Sequence, residues 1–79
     1  MTKFDYSAPA ELFAFARGGF NRKPVQYHRF PTGAEAIRYA IEVLPAAQLT
    51  GAILEVDEDR YDGKEIRDLY DDQRYPLPR

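Results

Sequence analysis

Two similar helix-start signals constrain the fold of this chain more than any other feature of its sequence. Thr32 and Asp62 are each followed by a glycine and, three residues on, by a glutamate. A side-chain oxygen followed three residues later by a carboxylate is the pattern of a capping box, in which each side chain bonds a backbone N–H of the other residue. We therefore expect one helix to begin after Thr32 and another after Asp62.

Apolar residues at helical spacing follow both signals. The first stripe predicts a helix over 32–44, ended by Pro45, because the residue before a proline is pushed out of helical geometry. The second predicts a helix over 63–73. The stripes consist of Ile37, Ala40, Ile41 and Leu44 in the first segment and of Ile66, Leu69 and Tyr70 in the second.

Each predicted helix follows a strand-like run, residues 25–30 and residues 52–57. Leu54 and Val56 alternate with acidic residues, which is typical of a half-buried strand. The order strand, helix, strand, helix predicts a β-α-β-α core with a right-handed crossover and both helices on one face of the sheet. Two parallel strands make a poor sheet, so we expect a third, from residues 10–16 or from a second subunit.

The N-terminal third of the chain leaves an alternative open. Ser7, Pro9 and the Ala, Glu and Leu content favour a short helix over 7–17 that Gly18 would close, although residues 12–15 could equally form a strand. Residues 18–24 are typical of a mobile loop, and residues 75–79 of an extended, polyproline-like tail. The predicted fold is therefore one small two-layer α+β domain over 1–79, with two or three strands and a short N-terminal helix.

Chain length and the lack of cysteine limit what can stabilise this domain. With 79 residues and no cysteine, it has neither disulfides nor thiolate metal sites. A chain of this size buries only about 60% of the surface that its unfolded form exposes. We therefore expect a partner subunit, most simply in a homodimer. No apolar run is long enough for a membrane span, and we expect a cytoplasmic protein.

Charge is distributed unevenly along the sequence. Residues 1–38 carry a net charge of +3 and residues 39–79 a net charge of -5, for a total of -2. The basic half contains a segment, 13–30, in which cations alternate with aromatic side chains, a composition that suits single-stranded nucleic acid. The candidate contact residues are Arg17, Phe20, Arg22, Lys23, Tyr27 and Arg29. The negative chain makes this the alternative rather than the preferred function.

The residues that carry catalysis are scarce. His28 is the only histidine and Ser7 the only serine, so no nucleophile–base pair is evident. The acidic residues around Asp59 fail the calcium-loop pattern because Tyr61 stands where that pattern needs an acid. No phosphate-binding glycine motif is present. We expect no catalytic residue, no cofactor and no metal, and instead a non-catalytic interaction or regulatory module with Tyr, Phe and Arg on its contact surface.

Several segments together resemble a known family. They are Asp5–Phe13, Tyr27–Phe30 with Glu35–Tyr39, Leu54–Glu58 and the ending Tyr75–Arg79. In these segments the chain is similar to a family of small, uncharacterised alphaproteobacterial proteins, and the likeness covers nearly its whole length. The resemblance implies a bacterial, cytoplasmic protein and assigns no catalytic or binding residue.

Overall fold

A four-stranded antiparallel sheet with helices on one face organises the part of the chain that the structure, a computed structural model, describes: residues 4–15 and 24–78. Its sheet order is β2-β1-β3-β4. This is the predicted α+β class, with the helices on one side of a single sheet. The elements are β1 (Ala10–Phe15), β2 (Pro24–Phe30), α1 (Gly33–Glu42), α2 (Ala46–Thr50), β3 (Ile53–Val56), β4 (Asp59–Asp62) and α3 (Gly63–Asp71).

The short N-terminal helix expected over 7–17 is wrong, because Ala10–Phe15 form strand β1. The burial of this strand alternates residue by residue, with Ala10, Leu12 and Ala14 facing the core. Strand β1 pairs with β2 on one side and with β3 on the other. These pairings on both edges outweigh the modest helical preference of Ala, Glu and Leu. Residues 10–15 thus supply the expected third strand.

The parallel crossover and the count of two or three strands are also wrong. Strand β1 lies between β2 and β3, so every neighbouring pair in the sheet is antiparallel. A fourth strand, β4, follows a two-residue turn after β3. Antiparallel neighbours need only a short hairpin, whereas parallel ones need a crossover. Strand β4 is hard to recognise in the sequence because three of its four residues are charged. Such a composition is compatible with a strand at the edge of a sheet.

Both helix starts lie where the capping signals predict them. Asp62 and Glu65 form the full reciprocal capping box of α3. At α1, Thr32 accepts a hydrogen bond from the backbone of Glu35, whose carboxylate accepts one from the Thr32 hydroxyl rather than from its backbone N–H. The helices end slightly earlier than expected, and Pro45 caps the extra five-residue helix α2 that the sequence analysis missed.

The core lies between the helices and the sheet. Its largest fully buried side chains are Leu12, Ile37, Leu54 and Ile66. Tyr75 in the C-terminal tail, which has no regular secondary structure through residue 78, is also buried, and its hydroxyl donates to the carbonyl of Ala34 over 2.8 Å. The tail is therefore part of the packed structure. Of the predicted loop 18–24, only Pro24, the first residue of β2, lies within the described residues.

Candidate functional site

Within residues 4–15 and 24–78, one face of the sheet carries no helix. This face is the candidate functional site, and we call it the open face. Alternate strand residues point to this side, because successive side chains of a strand point to opposite faces. The strand register aligns them in two rows across the sheet. The charged row is Arg29, Glu11, Glu55 and Arg60, and the apolar row is Tyr27, Phe13 and Ile53, with Asp62 at its end.

An ion pair lies at each end of the charged row. Arg29 Nε lies 3.9 Å from Glu11 Oε2, and Arg60 Nε lies 3.2 Å from Glu55 Oε2. Both arginine side chains are mostly exposed, at 76% and 75%. Exposed pairs of this kind contribute at most about 1 kcal/mol to folding. The row therefore has a cation at each end and two carboxylates between them, and it contributes little to holding the domain together.

The apolar row places an aromatic pair on the surface. The rings of Phe13 and Tyr27 lie 5.1 Å apart between centroids, with Tyr27 47% exposed. Aromatic pairs at this separation attract each other, by about 0.5–1.5 kcal/mol beyond their area. Ile53, half-buried, follows Phe13 on the next strand. The centre of the open face is thus apolar, flanked by charged groups.

A hydrogen bond connects the two rows. The hydroxyl of Tyr27 donates to the carboxylate of Glu11, which also faces Arg29. This hydrogen bond is the main reason that the pKa of Tyr27 lies above its ordinary value of 10.0; desolvation and the charge of Glu11 add to it. Glu11 is therefore a shared acceptor that fixes the orientation of the aromatic ring beside it.

A shallow cavity of about 300 Å³ adjoins the charged row at the end of the sheet. Its rim includes Glu11, Arg29 and Glu55 together with the β3–β4 turn. In that turn Asp57 has φ 53° and Glu58 has φ 70°. Both residues occupy the left-handed region that glycine or asparagine adopts most easily, as in the type I′ turns of two-residue hairpins. The sharp turn brings additional carboxylates to this end of the open face.

The only histidine lies on the opposite side of the sheet. His28 Nε2 is 3.0 Å from Gln26 Oε1 and 3.3 Å from the hydroxyl of Tyr39. Gln26 in turn donates to Gln48 of α2. The His28 ring is half-buried, with its centroid 4.8 Å from that of Tyr39. These contacts show that the side chain is part of the packing between β2 and the helices.

Only part of the predicted nucleic-acid segment lies in the described structure. Tyr27 and Arg29 are both on the open face, one in each row. The other four candidates, Arg17, Phe20, Arg22 and Lys23, lie outside the described residues. Sequence reasoning missed four members of the two rows. They are Glu11, Ile53, Glu55 and Arg60. Alternation in the predicted strand 52–57 already separates Ile53 and Glu55 from Leu54 and Val56. Glu11 and Arg60 can be found in this way only when 10–15 and 59–62 are recognised as strands.

The six tyrosines do not gather on one surface. Tyr27 alone is exposed, and the others are half-buried or buried. Tyr6, Tyr75 and Phe4 form edge-to-face contacts on the helix side of the molecule, and the Tyr6 hydroxyl donates to the carbonyl of Leu69 over 2.9 Å. Most tyrosines therefore seal the margin of the core rather than present a contact surface.

The described ranges, 4–15 and 24–78, hold no group of three or more His, Asp or Glu side chains arranged to bind a metal ion. No helix among these residues is long and apolar enough to cross a membrane. Comparison of the chain with protein-family models, with curated proteins and with solved structures gives no match.

Proposed function

We propose that this protein is a non-catalytic interaction module that binds a protein partner through the open face of its sheet. The observation that carries the proposal is the apolar row at the centre of that face, with the exposed Tyr27 and its ring contact to Phe13. Protein interfaces typically combine an apolar, aromatic centre with a polar rim. The charged row supplies such a rim on one side of the apolar row.

The energetics of the two rows favour binding rather than folding as their role. Central aromatic side chains that become fully buried in a complex contribute most of its affinity, whereas rim charges mainly set specificity and association rate. Tyr27 suits the central position because its orientation is already fixed by Glu11. A side chain that is ordered before binding loses less conformational entropy in the complex.

The partner that we infer is a protein with apolar side chains facing Phe13, Tyr27 and Ile53, and with charges of both signs nearby. The presence of both signs in the charged row selects against a partner that carries one sign alone. The resemblance to alphaproteobacterial proteins supports a bacterial, cytoplasmic setting for this interaction. Self-association in a homodimer forms part of the proposal, and its surface is a separate question.

The hydrogen bonds and ion pairs of the polar side chains support a non-catalytic role. His28 is hydrogen-bonded to Gln26 and Tyr39 within the packing between β2 and α1. The carboxylates of Glu11 and Glu55 are paired with arginines on an open surface. Each of these groups therefore has a structural role that accounts for its position.

Partner capture with matched variants tests the proposal. Wild-type protein and two variants, Ile53→Lys and Val43→Lys, are immobilised, and the proteins that each retains from a bacterial lysate are quantified by mass spectrometry. Ile53 lies in the apolar row, whereas Val43 lies on the helix side and is 60% exposed. We expect the partner to be lost by roughly 10-fold or more with Ile53→Lys, the effect of a central interface residue, and to be kept with Val43→Lys.

A protein that both variants retain equally, or that Val43→Lys alone loses, would place the contact surface on the helices and contradict the proposal. Circular dichroism of each variant checks that the sheet is intact. Ile53 lies on the open face and outside the buried core, so loss of binding by a variant with an intact sheet reports on the open face.

Single-stranded nucleic acid is the second candidate, favoured by one observation. An aromatic pair on an open sheet face, with Arg29 in the adjacent row, is suited to stacking unpaired bases while a cation contacts phosphate. Against it, Glu11, Glu55 and Asp62 lie on the same face and repel phosphate. Affinity that falls steeply with salt would indicate this function.

A further inference from the structure

The two edges of the sheet differ in length and charge. Edge strand β4 has four residues, three of them charged, and its last residue, Asp62, also caps α3. Edge strand β2 has seven residues, of which Arg29 alone is charged. Short, charged edge strands resist pairing with other strands, whereas long edges with few charges invite it. Of the two edges, β2 is therefore the one suited to extend the sheet.

Strand β2 is compatible with antiparallel pairing to a second copy of itself. Tyr27 lies within residues 26–30, the part of β2 whose register with β1 is regular, whereas the register shifts between Gln26 and Pro24. A two-fold axis at Tyr27 therefore uses the regular part of the strand. Residues directly opposite each other in an antiparallel pair lie on the same face of the sheet. In this arrangement Gln26 faces His28 of the other copy on the helix side.

The charges of the strand disfavour one alternative register. If the axis moved two residues toward the C-terminus, to Arg29, the two guanidinium groups would lie opposite each other, which is unfavourable. With the axis at Tyr27, no charged side chain of β2 faces its own copy. The two tyrosine rings meet instead, and aromatic pairs across strands are among the favourable ones.

This register would also join the apolar rows of the two copies. On the open face of one copy the row runs from Ile53 through Phe13 to Tyr27, at the β2 edge. Beyond the axis it continues in reverse order through the same residues of the second copy. The combined row would double the apolar contact area that a single open face offers.

We propose that the protein forms a homodimer in which the β2 strands of two copies pair antiparallel about Tyr27, giving one continuous eight-stranded sheet. A second copy is the occupant that this self-complementary strand fits, since an isologous contact repeats each favourable pair. The interface uses the edge of the sheet, whereas the proposed partner binds its face. The dimer does not depend on that partner's existence.

Cysteine cross-linking tests the register, because the chain has no cysteine of its own. Tyr27→Cys would place two sulfur-bearing residues opposite each other, with Cα atoms about 4.5–5.5 Å apart, within the range of a disulfide. Arg29→Cys is the matched control, since in the same register the two Cα atoms are offset by four residues along the strands, about 13 Å. We expect mild oxidation to cross-link most of Tyr27→Cys and little of Arg29→Cys.

Light scattering gives the independent measurement. Wild-type protein should have twice its chain mass of 9.1 kDa. Tyr27→Lys should have the mass of one chain, because it places two ammonium groups opposite each other at the axis. Ile53→Lys should remain dimeric, because Ile53 lies two strands away from the β2 edge. A monomeric wild type would overturn the proposal. So would a dimer in which Arg29→Cys cross-links in preference to Tyr27→Cys.

The two proposals fail separately. A monomeric wild type would overturn the dimer but would not affect the proposal that the open face binds a protein partner. Equal partner capture by Ile53→Lys and wild type leaves the Tyr27→Cys cross-link untouched.

Discussion

The two faces of the sheet come from alternate residues of the same strands, yet their surroundings have little in common. On the helix side, Leu12 and Leu54 are 1% and 0% exposed. Their chain neighbours Phe13 and Ile53 are half-buried and lie on the open face, beside the charged row. One position along a strand thus separates a residue of the buried core from one on the open face.

Residue type alone does not determine the role of a residue in a domain of this size. Isoleucine and leucine are adjacent at 53 and 54. They differ only because successive residues of a strand point to opposite faces of the sheet. A chain of 79 residues has a small core, so each core position carries a large share of the stability. The substitutions below measure how sharply the two faces divide these roles.

The largest expected effect is on the helix side. Leu54→Ala leaves a cavity between the sheet and the helices and should lower the free energy of unfolding by about 2–5 kcal/mol. Ile53→Ala, the matched change on the open face, should lower it by less, about 1–2 kcal/mol, because that side chain is only partly buried in the free domain. Urea denaturation followed by circular dichroism measures both. Equal losses would show that the open face is as strongly packed as the core.

Two glycines in the helix layer give the second comparison. A Cβ at Gly63 would lie 2.2 Å from the backbone carbonyl oxygen of Leu49, so α2 and α3 would have to separate. Gly63→Ala should therefore destabilise the domain by about 1–3 kcal/mol. Gly51→Ala is the control, because nothing lies within 4 Å of the added atom, and it should be neutral or stabilise by up to about 1 kcal/mol. Thermal unfolding measures the stability of both variants. A Gly63→Ala variant as stable as the wild type would contradict the close approach of α2 and α3.

The β3–β4 turn should gain stability from glycine. Glu58 has φ 70°, a left-handed conformation that costs a non-glycine residue about 1–2 kcal/mol. Glu58→Gly should raise the free energy of unfolding by roughly 1 kcal/mol or less, since the more flexible unfolded chain offsets part of the gain. Glu58→Ala keeps the unfavourable conformation and should show no such gain in the same urea titration. A lower free energy of unfolding in Glu58→Gly than in the wild type would mean that the Glu58 side chain stabilises the turn.

The smallest effect concerns the link between the two rows of the open face. Tyr27 donates to Glu11, which raises the tyrosine pKa, so this contact stabilises the folded state at pH values below the ordinary tyrosine pKa of 10.0. The contribution is lost as the pH rises through the higher pKa of the folded state. In Glu11→Gln, Tyr27 should titrate at a lower pH than in the wild type. An NMR titration of the Tyr27 ring measures this, and an unchanged or higher pKa would show that Glu11 is not the cause.

The sequence predicts the helix starts well because their signals are local. The contacts of Thr32 with Glu35, and of Asp62 with Glu65, lie within a single turn of helix. Strand β1 could not be predicted in this way, because its stability comes from pairing with β2 and β3, which are distant in sequence. Non-local pairing overrides the helical preference of its alanines and of Glu11.

The open face was beyond prediction for the same reason. Tyr27 and Arg29 were named as candidates from their composition, but their neighbours Glu11 and Ile53 become visible only once the register aligns three strands. Strand β4 was missed because Arg60 and Asp62 look like part of an acidic turn. A charged edge strand has the composition of a loop, so only the pairing reveals it.

The central claim is that the open face serves a protein partner rather than nucleic acid. The most direct test is the mass of the purified wild type by light scattering, with and without a random single-stranded oligonucleotide, at low and at high salt. We expect the mass at each salt concentration to be unchanged by the oligonucleotide, because the carboxylates of the open face repel phosphate. A mass that rises with the oligonucleotide at low salt and falls back at high salt would contradict the account.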